Sequence, residues 1–175
     1  MTRQLQLAYA FKRPRTAVPG MAMLDPSVTA MRVHPGDLDL YMHVNNGVYL
    51  QMMDIARTNL LADLGAIGAL AERSWYPVLA ASTMTYRRSL KLWDRFEITS
   101  RVLGWDARVV YLEQVFTRGG ERCARGVVAA RFLSRSGDRI PGHDVAAAFD
   151  PDAVAPGLPD DVRAWADAVG VAHRS

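Results

Sequence analysis

The stretch "GDLDLYMHVNNGVYLQ", Gly36–Gln51, places two aspartates, a histidine and an Asn-Asn pair directly ahead of a long apolar pattern. Between Asn46 and Leu64, residues Tyr49, Met52, Met53, Ala56, Leu60 and Leu64 recur at helical spacing, whereas Gln51, Asp54 and Thr58 fall on another side. That spacing predicts a long helix with a broad apolar face. Gly65 follows where a left-handed cap commonly sits, and Gly68 offers a second stopping point. Upstream, "SVTAMRV" from Ser27 to Val33 alternates as a strand does, and His34-Pro35-Gly36 ends it. Asp37 to His43 is therefore expected in a loop or a single irregular turn, because Pro35 and Gly36 interrupt any smooth passage into the helix.

Beyond the helix the period changes to two. The runs "PVLAASTMTYRRS", "FEITSRVL", "RVVYLEQVF" and "RCARGVVAARFL" are rich in β-branched and aromatic residues, with turns expected at Gly104-Trp105-Asp106 and Arg118-Gly119-Gly120-Glu121. In the second run Phe96, Ile98, Ser100 and Val102 share one face, and Glu97, Thr99, Arg101 and Leu103 the other. One strand, one long helix and four further strands satisfy both apolar surfaces if an antiparallel five-stranded sheet wraps around the helix, an α+β arrangement. The expected organisation is an N-terminal arm over residues 1–26, which lacks sustained periodicity, a domain over 27–150, and a C-terminal extension over 151–175. Within that extension "PDDVRAWADAVG" reads as a short helix docking Val162 and Trp165.

Half of the 175 residues are hydrophobic, enough for one sizeable core, and the formal net charge is only +3. The basic residues are mostly Arg scattered among acids, so no cationic tract points to nucleic acid or a membrane surface. Lys12, Arg13 and Arg15 read as part of a solvated tail. Cys123, the single cysteine, lies in an alternating apolar run where a buried structural thiol is expected, consistent with a reducing, cytoplasmic compartment. No run has the length or apolarity of a membrane span or signal-peptide core.

Two readings of the helix entrance follow from the residues. In one, Asn45 or Asn46 caps the helix while Asp37 and Asp39 brace the turn through side-chain to backbone hydrogen bonds. In the other, the free N–H groups at the helix start attract an electron-rich carbonyl oxygen, and Asp39 serves beside them as base or nucleophile. Asp37, Asp39 and His43 make only a partial metal-ligand set, and no Gly-x-Ser-x-Gly elbow supports serine hydrolysis.

The pattern Asp37-x-Asp39-x-x-x-His43-x-Asn45-Asn46-x-x-Tyr49, followed by a helix containing "DIAR", resembles the hotdog-fold acyl-CoA thioesterases of the 4-hydroxybenzoyl-CoA thioesterase type. The run "TYRRSLKLWDRFEITSRVLGWDARVVYLEQVF" resembles the thioesterase-superfamily-member branch, and the likeness covers about Val28 to Leu133. The resemblance implies a five-stranded antiparallel sheet around a central helix and a homodimer or homotetramer with sites between subunits. It implies an acyl-CoA substrate hydrolysed to free acid and coenzyme A, with no metal or redox cofactor. Asp39 then matches the catalytic aspartate and the backbone N–H of Asn46 the group that polarises the thioester carbonyl, with His43 beside them. Asn45 and Tyr49 fall within the same motif as substrate contacts, and Arg87 and Arg88, with Lys91, form a basic cluster suited to the coenzyme's phosphates. The His-Val-Asn-Asn run is also similar to plant acyl-carrier-protein thioesterases, so either carrier fits. Asp54 is a competing carboxylate, set one turn before Arg57, and Met52, Met53 and Met84 fit an acyl tunnel or ordinary core. A non-catalytic acyl-binding hotdog protein and a hotdog hydratase or dehydratase are the alternatives.

Overall fold

The computed structural model describes residues 2–172; Met1 of the expected arm and residues 173–175 of the expected extension lie outside the described residues. In chain order the elements are α1 (Arg3–Lys12), β1 (Ser27–Arg32), α2 (Asn46–Asp63), α3 (Ala66–Glu72), β2 (Trp75–Tyr86), β3 (Arg95–Trp105), β4 (Val110–Arg118), β5 (Glu121–Ser134), β6 (Arg139–Ile140), α4 (Gly142–Ala147) and α5 (Asp160–Ala168). The strands form one antiparallel sheet in the order β1-β3-β4-β5-β2, with the two-residue β6 added against Phe132 and Leu133. This is the hotdog arrangement, enlarged by a sixth short strand in a stretch that the sequence marks only as polar.

The sheet curls around α2 because α2 has apolar residues for every strand. Met52, Met53, Ala56 and Leu60 are almost fully buried and join Ile98 of β3, Leu112 and Phe116 of β4 and Val128 of β5 in one core. Each of these side chains larger than alanine contributes roughly 1.5–3 kcal/mol through burial. Met52 and Met53 are thus core residues, and Met84 packs against them half-buried. Close approach is made possible by Gly126 on β5, where an added Cβ would lie 2.4 Å from Met53 Cε and 2.7 Å from Met84 Sδ.

Polar groups enter this core as well, Ser100 and Gln114 among them. Gln114 of β4, fully buried, donates through Nε2 to the Met53 carbonyl (3.0 Å) and to Ser100 Oγ (3.0 Å), and its Oε1 accepts from Arg57 Nη1 (2.6 Å). Arg57 also pairs with Asp54, and burial pulls its guanidinium below the usual arginine range.

The outer face of the sheet is closed by the C-terminal segment. Val162 and Ala166 of α5, with Val171, pack on Leu103, Tyr111, Val127 and Ala129, and Trp165 lies against the same cluster. At its edge Glu113 sits between Arg101 and Arg125, and Arg125 reaches Asp161 at the start of α5. Alternation in β3 follows the expected faces, since Phe96, Ile98, Ser100 and Val102 all turn inward and are buried.

Three local expectations are refined. The turn after β3 begins later than Gly104-Trp105: both residues stay in the strand beside a bulge, and Asp106 makes the turn by accepting from the N–H of Arg108 (2.7 Å) and Val109 (3.0 Å). Gly119 and Gly120 do form the two-residue turn between β4 and β5, with φ of 58° and 80°, the left-handed values that a tight hairpin requires. Residues 3–12, where apolar periodicity is absent, are nevertheless helical. α1 rests on α2, but its only buried residue is Arg3, so no apolar stripe announces it. Arg15 reaches Asp63 at 3.3 Å rather than standing free. Cys123 is fully buried, and burial pushes its thiol upward.

Two glycines with different neighbours test this packing. A Cβ on Gly142, the first residue of α4, would meet the backbone carbonyls of Asp106 (2.4 Å) and Val109 (2.9 Å), which cannot yield without moving the turn. At Gly126 the obstructing atoms are the flexible ends of methionines. Gly142→Ala is expected to cost about 2–3 kcal/mol and Gly126→Ala about 1 kcal/mol in denaturant unfolding, although both glycines are buried. Equal or inverted losses would refute that account.

Candidate active site

The loop between β1 and α2 is a small closed structure. His34, Pro35 and Gly36 lead into a single 3-10 turn over Pro35–Asp37, and the Asp37 carbonyl then accepts from Asn45 N–H at 2.8 Å. Leu38 pairs with Val44, and the Asp39 N–H donates to the His43 carbonyl at 2.8 Å, so residues 38–44 form a miniature hairpin. Its tip turns through Met42 at φ 61° and leaves Leu40, Tyr41 and Met42 exposed. Asp39 and His43 therefore face each other across a hairpin, not along a helical turn.

Asp39 braces this hairpin from inside. Its Oδ1 accepts from Tyr41 N–H (2.8 Å) and His43 N–H (3.2 Å), while among the described residues Oδ2 takes no protein donor. Asp37 has a different role: its carboxylate is buried, accepts from His34 N–H (2.7 Å) and is gripped by Arg3. Asp37, Asp39 and His43 thus do not converge as ligands.

α2 begins at Asn46, with Asn45 as its cap: Asn45 Oδ1 accepts from Gly47 N–H at 2.8 Å. Among the described residues the Asn46 N–H has no protein acceptor, and it sits at the positive end of an 18-residue helix. Asp39, His43, Val44, Asn46 and Tyr49 line one wall of a cleft of about 280 Å³. Tyr86, Arg87, Arg88 and Ser89, at the end of β2, line the other. Of the residues selected from the sequence, six meet in this cleft; Asn45 does not line it, because its side chain is committed to the helix cap.

Tyr49 is buried with its ring edge-on to Tyr86 and Phe116, each at 5.1 Å between centroids, and burial raises its hydroxyl above the ordinary tyrosine range. Arg87 and Arg88 are fixed through their backbone N–H groups, both donating to the Cys123 carbonyl, and the Arg88 side chain pairs with Glu121 at 2.9 Å. Lys91 is tied to the loop by a bridge to His43. The sequence reading passed over Tyr86, half-exposed at the rim, although it directly precedes the Arg pair. It also missed Arg3, for which the sequence carries no local signal.

A second, larger cavity of about 570 Å³ lies farther along α2. Leu7 and Phe11 of α1, Leu61 of α2, Leu79 of β2 and Phe132 of β5 line it, and Asp54 and Arg57 stand at its wall. Asp54 is therefore remote in sequence and lining from the Asp39 cleft, and it is engaged by Arg57. Among the described residues no helix is long and apolar enough to cross a membrane.

Known proteins are similar to this chain in sequence and in fold. Protein THEM6 of Xenopus laevis is 36% identical over 110 residues, covering 62% of this chain and 53% of that protein, so the chain spans about half of that relative's length. Escherichia coli long-chain acyl-CoA thioesterase FadM is 30% identical over 89 residues, covering 51% of this chain and 67% of that protein. Among solved structures, the probable thioesterase YbaW from Escherichia coli superposes with a TM-score of 0.65 at 24% identity, covering 69% of this chain and 92% of that chain. The family profile described as thioesterase-like superfamily matches residues 33–166, most of the chain including the whole cleft, and the protein belongs to that superfamily.

Proposed function

We propose that the protein hydrolyses an acyl-CoA thioester to a carboxylic acid and coenzyme A, with Asp39 and the Asn46 N–H as the central groups. The observation that carries this reading is their presence in one cleft, a carboxylate with an unengaged Oδ2 beside the open first amide of a long helix. The thioester carbonyl oxygen would accept from Asn46 N–H, where charge developing on oxygen meets a preorganised donor. Asp39 Oδ2 would attack the carbonyl carbon, expelling the thiolate to leave an acyl–aspartyl anhydride that water then hydrolyses to the acid and the free carboxylate, or it would take a proton from a water that attacks the carbon directly; in either route the carbon–sulfur bond breaks, the thiolate gains a proton, and the oxygen comes from water. Arg87 and Arg88, across the cleft, suit the phosphates of the carrier. The name and fold of the relatives support the same reaction class.

The unpaired long edge of β2 and the apolar cavity beside it favour a homodimer. β2 hydrogen-bonds only to β5, and Tyr76, Leu79 and Tyr86 along it are 43%, 48% and 45% exposed. A free apolar edge of this kind is a pairing surface. Sedimentation is expected to give twice the chain mass. Leu79→Lys, a charge at a residue already half-exposed within one chain, is expected to give a folded monomer; a persistent dimer would exclude this edge.

One observation favours a second reading, an acyl-CoA-binding protein without turnover: Asp39 Oδ1 is already spent on bracing its own loop. Asp39→Asn separates the two, since an asparagine oxygen can accept the same two N–H bonds while the charge is lost. Thiol release from short, long and aromatic acyl-CoAs is expected to fall about 100-fold or more in Asp39→Asn at unchanged melting temperature. Asp54→Asn is expected to retain most activity. Thermal stabilisation by acyl-CoA with no thiol release from the wild type would establish the binding reading instead, and crotonyl-CoA hydration would establish a hydratase.

A further inference from the structure

We infer that Arg3 is a positioning residue for the Asp39 cleft, acting through a buried ion pair with Asp37, so that α1 belongs to the site although none of its residues lines the cleft. The activity arm of this inference rests on the proposed thioester hydrolysis; the structural arm does not.

Arg3 is the only buried residue of α1, and its side chain and that of Asp37 are 3% and 5% exposed. Its guanidinium spends its donors on groups belonging to one neighbourhood: Nε to Asp37 Oδ1 (2.9 Å), Nη2 to Asp37 Oδ2 (2.6 Å) and to the Arg32 carbonyl (2.7 Å), and Nη1 to Gln6 Oε1 (2.6 Å). The fork fits both carboxylate oxygens at once, a geometry that lysine cannot reproduce.

Asp37 in turn stands at the neck of the loop. Its carboxylate holds His34 N–H on the incoming side and its carbonyl holds Asn45 N–H on the outgoing side. Asn45 is the helix cap, Asn46 follows it, and the hairpin carrying Asp39 springs from Leu38 and Val44 between these two anchors. The relation of the Asp39 carboxylate to the first amide of α2 is therefore set at Asp37. Removing Arg3 leaves a buried carboxylate without its counter-charge, and the loop relieves it by carrying Asp37 toward water. The neck then opens while α2, held in the sheet by its methionines and Leu60, stays in place.

The test compares the full chain with Arg3→Gln and Arg3→Lys, following amide exchange in peptides spanning residues 38–48 and in peptides of β3 to β5, alongside kcat and KM for whichever acyl-CoA the wild type turns over. Arg3→Gln is expected to speed exchange in 38–48 about tenfold with the β3–β5 peptides unchanged. Its kcat should fall about 10–100-fold with KM within about threefold, as a small misplacement of reacting groups predicts. Arg3→Lys, which keeps the charge and loses the fork, should fall between wild type and Arg3→Gln in both measurements. Wild-type exchange and kcat in a folded Arg3→Gln would overturn the inference, as would faster exchange spread evenly over the whole sheet. If Arg3→Gln does not fold, Arg3→Lys decides: a selective loop effect supports the role, and none removes it. Absence of turnover by the wild type would sink the hydrolase reading alone, leaving the exchange comparison to judge Arg3.

Discussion

Gln114 fixes where α2 lies in the sheet, and the rest of the structure takes its position from that. Apolar contact alone would let a helix slide along a curled sheet, since methionine and leucine side chains adapt to one another. A buried amide does not adapt: Gln114 must meet the Met53 carbonyl, Ser100 and Arg57 together. A slip of one turn, about 5.4 Å, would part the Gln114 amide from the Met53 carbonyl and from Arg57 in a low-dielectric interior, where each orphaned group costs about 1–3 kcal/mol. The register so enforced sets how far the N-terminus of α2 projects from the sheet, and hence that the Asn46 amide opens beside Tyr86 to Ser89 rather than beneath the strands.

Two kinds of force hold the cleft's walls. The helix wall is held by the core, through the contacts of Met53 with Gly126 and of Tyr49 with Phe116. The loop wall touches the core through Leu38 and Val44 but is otherwise held by polar contacts: Asp37 with Arg3 and His34, Asp39 with Tyr41 and His43, and Val44 N–H on the Leu90 carbonyl at 3.1 Å. Core substitutions thus act on overall stability, whereas substitutions in the loop's hydrogen bonds act on the geometry of the site. The C-terminal segment, closing the outer face of the sheet with Val162 and Ala166, belongs to the first category.

This division also explains what the sequence disclosed. α2, the alternating faces of β3 and the Gly119-Gly120 turn are written in local periodicity and turn chemistry, so they are legible residue by residue. The motif from Asp37 to Tyr49 is legible as a group of polar residues, and most of its members do share a cleft with Arg87 and Arg88. Gln114 is not legible, because within "YLEQVF" a polar pair gives no sign of which member faces inward; only the register of β4 between β3 and β5 turns Glu113 out and Gln114 in. Arg3 is hidden for a related reason. Its partner lies 34 residues away, and α1 is attached by an ion pair, which has no period.

Asp39 shows why the two readings of the helix entrance were never exclusive. A carboxylate has two oxygens, and here one accepts the Tyr41 and His43 amides while the other takes no protein donor. The bracing bonds hold the carboxylate plane in one orientation, so the unengaged oxygen is aimed without further machinery. Fixing the group in this way removes the rotational freedom that would otherwise be lost on reaching a carbonyl carbon, which is a contribution to any reaction at that site. Catalysis by Asp39 would therefore depend on its placement relative to the Asn46 amide in the same cleft, which makes the position of the loop neck, held by Asp37 and Arg3, the quantity to which the site is most sensitive.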